Sequence, residues 1–149
     1  MLTADHKEVK QMFKAYDQLV DDAADGDEKQ VLAEQICAAL LAHATAEEEI
    51  FYPAARAAIE EQDLLDEAEV EHAGAKDLVA QIKAMDPADQ LYDAKVKVLG
   101  ELIDHHVKEE EGDLFPKVKK AKLDLQMLGK QIAARKEELL AELGVDEQA

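Results

Sequence analysis

Tryptophan is absent from the 149-residue chain, which has one cysteine, three prolines and six glycines. The single cysteine, Cys37, excludes a disulfide within the chain and fits a reducing compartment. Long apolar runs are also missing: no stretch approaches the roughly 20 residues that a membrane-spanning helix needs, and the charged segment 1–11 does not resemble a signal peptide. The sequence therefore predicts a cytoplasmic protein that binds no membrane.

Positive charge is scarce, because 17 Lys and Arg residues stand against 35 Asp and Glu residues and give a formal net charge of −18. Such a surface repels phosphate backbones, so we expect no binding to nucleic acid. The acidic balance does not indicate disorder, because 48% of the residues are hydrophobic. Its expected effect is solubility, with attraction of cations as the functional alternative.

Alanine, leucine, glutamate and lysine dominate the composition, and hydrophobic residues recur at helical spacing along nearly the whole chain. These patterns predict one all-α domain over 1–149, with an antiparallel up-and-down four-helix bundle in 1–120 and an additional C-terminal helix in 122–143. We expect a first helix that is capped by Thr3 or Asp5 and ends near Val20, and a second that begins at about Glu28 and is kinked or broken at Pro53. The third is expected over Leu65–Met85, and the fourth is expected to have Asp86 as its N-cap and Pro87 as its first residue. The last helix is expected to stop at Gly144. The last helix has no recognisable chemistry; packing across the bundle is its expected role, with partner binding as the alternative.

A repeat of histidine and glutamate is the most informative feature of the sequence. Each half of the chain has an isolated histidine, then a His-x-x-x-Glu motif 37 or 34 residues later, then an aromatic residue followed by proline ten residues after the motif's histidine. The repeated residues are His6, His43, Glu47 and Pro53 in the first half and His72, His106, Glu110 and Pro116 in the second. Two similar helical hairpins can face each other in a four-helix bundle, which would bring the repeated residues together.

The two motifs have the chemistry of a metal site. Residues i and i+4 of a helix lie one turn apart on the same face, so the His and Glu of each motif point into the same space. Imidazole binds iron, zinc and copper, and a carboxylate can bridge two metal ions. A single motif is weak evidence, because His105 and Glu109 also match it; the duplication and the isolated histidines carry the inference. The alternative is that these histidines are ordinary core residues.

Several other residues are weaker candidates for metal ligands. Helical phase places His106 on an apolar face, whereas His105 falls on a solvated one. Cys37 is expected to be a small core residue. The tyrosines are expected to be packing residues; they are Tyr16, Tyr52 and Tyr92, of which Tyr52, beside Pro53, is the one to inspect for approach to a metal. The acidic residues that flank the motifs are expected to be exposed or to hydrogen-bond a ligating imidazole; they are Glu48, Glu49, Glu109 and Glu111.

Other classes of site lack their motifs. A ferritin-like carboxylate site needs two Glu-x-x-His pairs, and the chain has one, Glu69/His72. The zincin motif His-Glu-x-x-His, a glycine-rich phosphate loop and a Ser/His/Asp signature are absent from the sequence.

Residues 2–120 resemble the hemerythrin-like HHE cation-binding family, whose members place a lone His, a His-x-x-x-Glu, a second lone His and another His-x-x-x-Glu on four bundle helices. The resemblance implies a non-haem di-iron centre, in which two iron ions share an oxo or hydroxo bridge and Glu47 and Glu110 are candidates to bridge them. It implies these metal ligands: His6, His43, Glu47, His72, His106 and Glu110. The implied partner is a small molecule, O2, H2O2 or NO.

The sequence departs from the oxygen-carrying hemerythrins, which have a second histidine one turn after the first on the third helix, where this chain has Lys76. They also end on a more distant Asp instead of Glu110. Two irons offer about twelve coordination positions, and with one histidine fewer about two stay open instead of about one. The resemblance therefore implies a protein that binds or reacts with O2, peroxide or NO, as a sensor or a catalase-like enzyme. The alternatives are an iron or other divalent-metal binder in homeostasis or detoxification, and a helical interaction module; enzymatic turnover and the choice between monomer and dimer stay open.

Overall fold

The computed structural model describes residues 2–23 and 26–142 of the protein, and every regular element in those ranges is helical, which confirms the all-α prediction. The elements are α1 (Leu2–Asp21), α2 (Gly26–Ala46), a first π-helical turn π1 (Glu47–Phe51), α3 (Tyr52–Ala58), α4 (Gln62–Lys83), α5 (Tyr92–Glu109), a second π-helical turn π2 (Glu110–Leu114), α6 (Phe115–Lys120) and α7 (Leu125–Glu142). None of the described helices combines the length and the apolar character that crossing a membrane requires.

Four long helices, α1, α2, α4 and α5, form the bundle. α1 packs against α2 and α5, and α4 packs against the same two helices. The α1–α2 and α4–α5 pairs are the two hairpins that the repeat predicts. Beyond the π turns, α3 continues the direction of α2 and α6 continues that of α5, while α7 packs against α2 and π1 as expected for a helix that covers the bundle.

Two apolar clusters fill the bundle, one on each side of a buried polar layer. The first cluster is built by α1, α2, α4 and α5, and its Tyr16, Ile36 and Leu99 are almost fully buried. The second is built around Phe51 and Leu65 and includes side chains of α6 and α7. Because apolar side chains pack on both sides, water is largely excluded from the polar layer between them.

Each His-x-x-x-Glu motif runs into a π-helical turn that begins at its glutamate. In π1 the amide of Tyr52 donates a hydrogen bond to the carbonyl of Glu47, and in π2 the amide of Phe115 donates to Glu110 in the same way. Pro53 then falls in the first turn of α3, where its missing N–H and its ring are tolerated. The helix is therefore not broken at Pro53; the chain accommodates the proline by a wider turn before it, a feature frequent at functional sites.

The predicted start of the fourth bundle helix is wrong. The helix begins at Tyr92, not at Pro87. The Asp86 side chain accepts a hydrogen bond from the Ala88 amide at 2.8 Å, which closes a local turn and does not cap the helix. A sequence of Asp followed by Pro fits both a helix start and a turn, and here the turn forms.

The predicted cap of the first helix is also wrong, because α1 begins at Leu2 and Asp5 lies within its first turn. Neither Asp5 nor Thr3 is therefore the N-cap. This position makes the Asp5 carboxylate available to neighbouring helices. The predicted stop of the last helix at Gly144 lies outside the described residues.

Candidate metal centre

The six predicted ligands meet in the buried polar layer between the two apolar clusters, and none exposes more than 8% of its surface. Their elements are α1 for His6, α2 for His43, π1 for Glu47, α4 for His72, α5 for His106 and π2 for Glu110. Every helix of the bundle thus contributes one histidine, and the two π turns contribute the glutamates. The repeated residues of both halves of the sequence therefore lie in one buried layer.

The ligand atoms form two groups that share both glutamates. One group is His6, His43, Glu47 and Glu110, the other is Glu47, His72, His106 and Glu110, and the ligand atoms of each group lie within 4.8 Å of one another. Within the motifs, Nε2 of His43 lies 3.1 Å from Oε1 of Glu47, and Nε2 of His106 lies 2.9 Å from Oε2 of Glu110. Two ligand atoms that bind one cation at right angles with bonds of about 2.1 Å are about 3 Å apart. The spacing therefore suits two neighbouring cations.

Several buried polar atoms in the layer have no hydrogen-bond partner among the described residues. They are both ring nitrogens of His6, Nε2 of His43, Oε2 of Glu47 and Oε1 of Glu110. A buried polar group without a partner costs about 1–3 kcal/mol, and a buried carboxylate costs more. Cations bound between the two motifs would satisfy the glutamate oxygens and one nitrogen of each ring, so the residues fit a metal.

The protonation equilibria of the layer point the same way. Burial lowers the pKa of His43, but the charge of Glu47 and a hydrogen bond to Asp5 outweigh it and raise the pKa to about 10. For His106, burial is likewise outweighed by the hydrogen bond and charge of Glu110, and its pKa rises to about 9. Burial raises the pKa of Glu110, yet its close contacts with Glu47 and with the imidazoles of His106 and His6 hold this pKa well below the usual range. Without metal, protons on the imidazoles balance buried carboxylates, and a cation would displace those protons.

Tyr52 places its hydroxyl in the middle of the second ligand group. It donates a hydrogen bond to Oε2 of Glu110 at 2.8 Å. The hydroxyl oxygen of Tyr52 also lies 3.2 Å from Nε2 of His72, 3.3 Å from Nε2 of His106 and 3.4 Å from Oε1 of Glu47. Burial and then the charges of both glutamates raise its pKa, which favours the neutral phenol when no cation is bound. The hydroxyl is therefore spaced as a fifth member of this ligand group.

The two halves of the centre differ at the residue that follows the π turn. In the first half this residue is Tyr52, and in the second it is Phe115, five residues after Glu110. The Phe115 ring stacks on the His6 imidazole with ring centroids 6.0 Å apart and planes 5° apart. The group around His72 thus has a phenol oxygen, whereas the group around His6 has an apolar ring.

Carboxylates lie behind all four histidines, at the ring nitrogens that face away from the centre. The Nδ1 atoms of His43, His72 and His106 lie 3.2, 3.1 and 2.8 Å from Asp5, Glu48 and Glu71. For His6, the nearest carboxylate oxygen on this side belongs to Glu111 at 3.7 Å, beyond hydrogen-bond distance. A carboxylate that accepts a hydrogen bond from the Nδ1–H group fixes the ring orientation and leaves the Nε2 lone pair directed at the centre.

Apart from Tyr52, the weaker candidates lie outside the two ligand groups. His105 is exposed and pairs with Glu109 at 3.0 Å, which confirms it as a surface residue. Cys37 is a buried free thiol in the first apolar cluster, and burial raises its pKa to about 11. Glu48 contacts His72, one of the two alternatives expected for the flanking acids. The contacts of Asp5 and Glu71 with the imidazoles of His43 and His106 were not predicted, because they depend on how separate helices pack.

A cavity of about 30 Å³ adjoins the centre on the side of the first apolar cluster. All four ligand histidines line it, together with apolar side chains such as Val9, Leu40 and Val79. A space of about 10–15 Å³ holds one water-sized molecule, so the cavity has room for a molecule of two or a few atoms.

Comparison with known proteins identifies the class. The Hemerythrin HHE cation binding domain model matches residues 1–118, and the chain belongs to this family. A relative described as a DNA nickase, from Nostoc sp. (strain PCC 7120 / SAG 25.82 / UTEX 2576), is 33% identical over 122 residues, which cover 80% of this chain and 32% of that protein. The chain therefore spans about a third of the relative's length. No solved structure matches the chain.

Proposed function

We propose that the chain is a non-haem di-iron protein whose two iron ions are held by His6, His43, Glu47, His72, His106 and Glu110. The observation that carries this proposal is the pair of ligand groups that share two glutamates. Glu110 would offer one oxygen to each ion, because Oε1 lies 3.4 Å from Nε2 of His6 and Oε2 lies 2.9 Å from Nε2 of His106. Mixed imidazole and carboxylate ligands suit iron, and iron is also the metal that the hemerythrin family implies.

Tyr52 is the seventh ligand in this proposal and binds the iron held by His72 and His106. Its hydroxyl lies 2.8–3.4 Å from four other ligand atoms of that group. The negative charges of the glutamates favour the neutral phenol, whereas the positive charge of a nearby cation favours the phenolate. The two irons are then inequivalent, because Phe115 cannot bind the other one.

Replacing Tyr52 by Phe tests this assignment. Ferric iron bound to a phenolate has a charge-transfer absorption band in the visible range, so we expect this band in the iron-loaded protein and its loss in Tyr52→Phe. Tyr92→Phe is the matched control, because Tyr92 is also buried but belongs to the first apolar cluster. A band that survives in Tyr52→Phe, with iron content unchanged, contradicts the assignment.

Bound iron would supply redox chemistry and an open coordination position, since Tyr52 would fill one of the about two positions that the other six ligands leave open. The chain itself supplies a small, mostly apolar cavity against the four imidazoles, where a small neutral molecule can lie close to the metal ligands. On these grounds the protein binds or reacts with O2, peroxide or NO, as a sensor or as a catalase-like enzyme.

Peroxide turnover tests the reactive form of this function. We expect iron-loaded protein to release O2 from H2O2 faster than the same concentration of free iron, and Glu110→Ala to fall to the free-iron rate. If turnover is no faster than with free iron but the spectrum changes on adding NO or O2, the catalase-like function is excluded and the sensor function is retained. Neither turnover nor a spectral change contradicts the proposed function. Protein that binds zinc or manganese and shows no di-iron spectrum would favour metal homeostasis or detoxification instead.

The activity named for the Nostoc relative is not part of the proposal. The matching segment is about a third of that protein. A net charge of −18 repels a phosphate backbone, and the ligands are buried where a nucleic acid strand could not lie against them.

A further inference from the structure

α7 carries a lysine in the middle of its buried apolar face. Leu128, Ile132, Lys136 and Leu140 follow one another at intervals of four residues, and all four are buried. Lysine is almost never buried unless it is paired. Nζ of Lys136 lies 2.7 Å from Oδ1 of Asp5, which is itself buried.

Asp5 connects this lysine to a metal ligand. Its second oxygen, Oδ2, lies 3.2 Å from Nδ1 of His43, and Nε2 of the same ring faces Glu47 at 3.1 Å. A continuous series of polar contacts therefore runs from α7 through α1 to the ligand on α2.

We propose that α7 belongs to the metal centre: Lys136 is a positioning residue that acts through Asp5 and sets the orientation and electron donation of His43. This inference rests on the proposed function, because it requires a metal at the centre. It assigns a role to a helix that begins after the family match ends at residue 118.

The structure contains a natural comparison on the opposite side of the centre. Lys76 donates to Glu48 at 2.7 Å, and Glu48 contacts Nδ1 of His72 at 3.1 Å, so the order of groups is the same. There, however, the lysine side chain is 38% exposed and the glutamate 33%, against 9% and 8% for Lys136 and Asp5. Water screens the first pair and not the second, so the buried pair has the larger effect on its histidine.

Neighbouring contacts hold α7 in place. Arg135 donates to Oε2 of Glu49 on π1 at 2.7 Å, and Leu140 packs with Ala38 and Ala42 of α2. Lys136 therefore approaches Asp5 from a helix fixed on both sides of the contact.

The midpoint potential of the bound iron tests the proposal. Lys136→Met removes the positive charge that balances Asp5, so His43 donates more strongly, ferric iron is favoured and the potential falls. Asp5→Asn keeps an acceptor for His43 but removes the negative charge, so the potential rises. Lys136→Arg is expected to stay close to the unsubstituted protein, and so is Lys130→Met, which removes an exposed lysine from the same helix.

Opposite shifts of the midpoint potential in Lys136→Met and Asp5→Asn support the proposal, because a purely structural role would not lower the potential in one variant and raise it in the other. A potential in Lys136→Met equal to that of Lys130→Met, with iron retained, overturns it. Failure of the proposed function is a separate result, since the unsubstituted protein would then hold no iron. If Lys136→Met loses its iron, iron retention in Lys136→Arg at an unchanged potential supports the proposal, and loss there as well overturns it.

Discussion

Metal-free protein is expected to unfold about 10 °C below the iron-loaded protein. A ligand at about a thousand times its dissociation constant stabilises the native state by about 4 kcal/mol, and each kcal/mol shifts the melting temperature of a domain of this size by about 2–4 °C. The unfolded chain cannot gather ligands that are spread from His6 to Glu110 along the sequence, so the whole binding free energy acts on the folded state. Calorimetry of chelated and iron-loaded protein measures the difference.

A variant that cannot bind iron separates this effect from non-specific actions of the chelator. The melting temperature of Glu110→Ala is expected to be the same with and without iron. Equal melting temperatures for the two forms of the unsubstituted protein would contradict a stabilising metal at the centre.

Glu47→Ala and Glu110→Ala are each expected to remove both metal ions. Each glutamate belongs to both ligand groups, so its loss leaves both groups incomplete. We expect the affinity for iron to fall by more than about 100-fold, the upper end of the range for residues that only support a ligand. Elemental analysis after dialysis against a weak chelator measures the iron that remains per chain.

Two neighbouring glutamates are graded controls for this experiment. Glu48→Ala removes the carboxylate behind His72 and is expected to lower the affinity by about 10-fold. Glu109→Ala removes a partner of the exposed His105 and is expected to leave iron content unchanged. Iron loss in Glu109→Ala as large as in Glu47→Ala would contradict the assignment of Glu47 and Glu110 as shared ligands.

The grouping of six side chains could be predicted because the same pattern occurs in both halves of the chain. A His and a Glu four residues apart share a helix face whatever the helix packs against, and the duplication implies a second face opposite the first. Assigning the isolated His6 and His72 to the same group required only the assumption that the helices form a bundle. Helical spacing also predicted that His106 lies on the apolar face and His105 on the solvated one, and the structure buries the first and exposes the second.

Tyr52 could be singled out but not placed. With α-helical spacing, a residue five positions after Glu47 points well away from it, whereas the π turn brings Tyr52 back over the same space. The signal was the proline at position 53, whose cost inside an α-helix is relieved by the wider turn. Pattern analysis with a fixed period of 3.6 residues does not anticipate such a change of pitch.

The supporting carboxylates of Asp5 and Glu71 could not be predicted, because each of them faces an imidazole on another helix. Asp5 faces His43 across a helix interface, and Glu71 faces His106 in the same way. The sequence does hold a signal for Lys136, since a lysine in step with Ile132 and Leu140 occupies an apolar position. Its partner depends on how α7 packs, which the periodicity of a single helix does not determine.

The metal content of the aerobically purified protein tests the central claim most directly. We expect elemental analysis to give two irons per chain, together with an absorption spectrum that combines a bridged ferric pair with the phenolate band of Tyr52. Protein that contains no iron after growth and reconstitution with iron, or that binds a single ion per chain with Glu47→Ala and Glu110→Ala unaffected, would contradict a di-iron centre shared by these two glutamates.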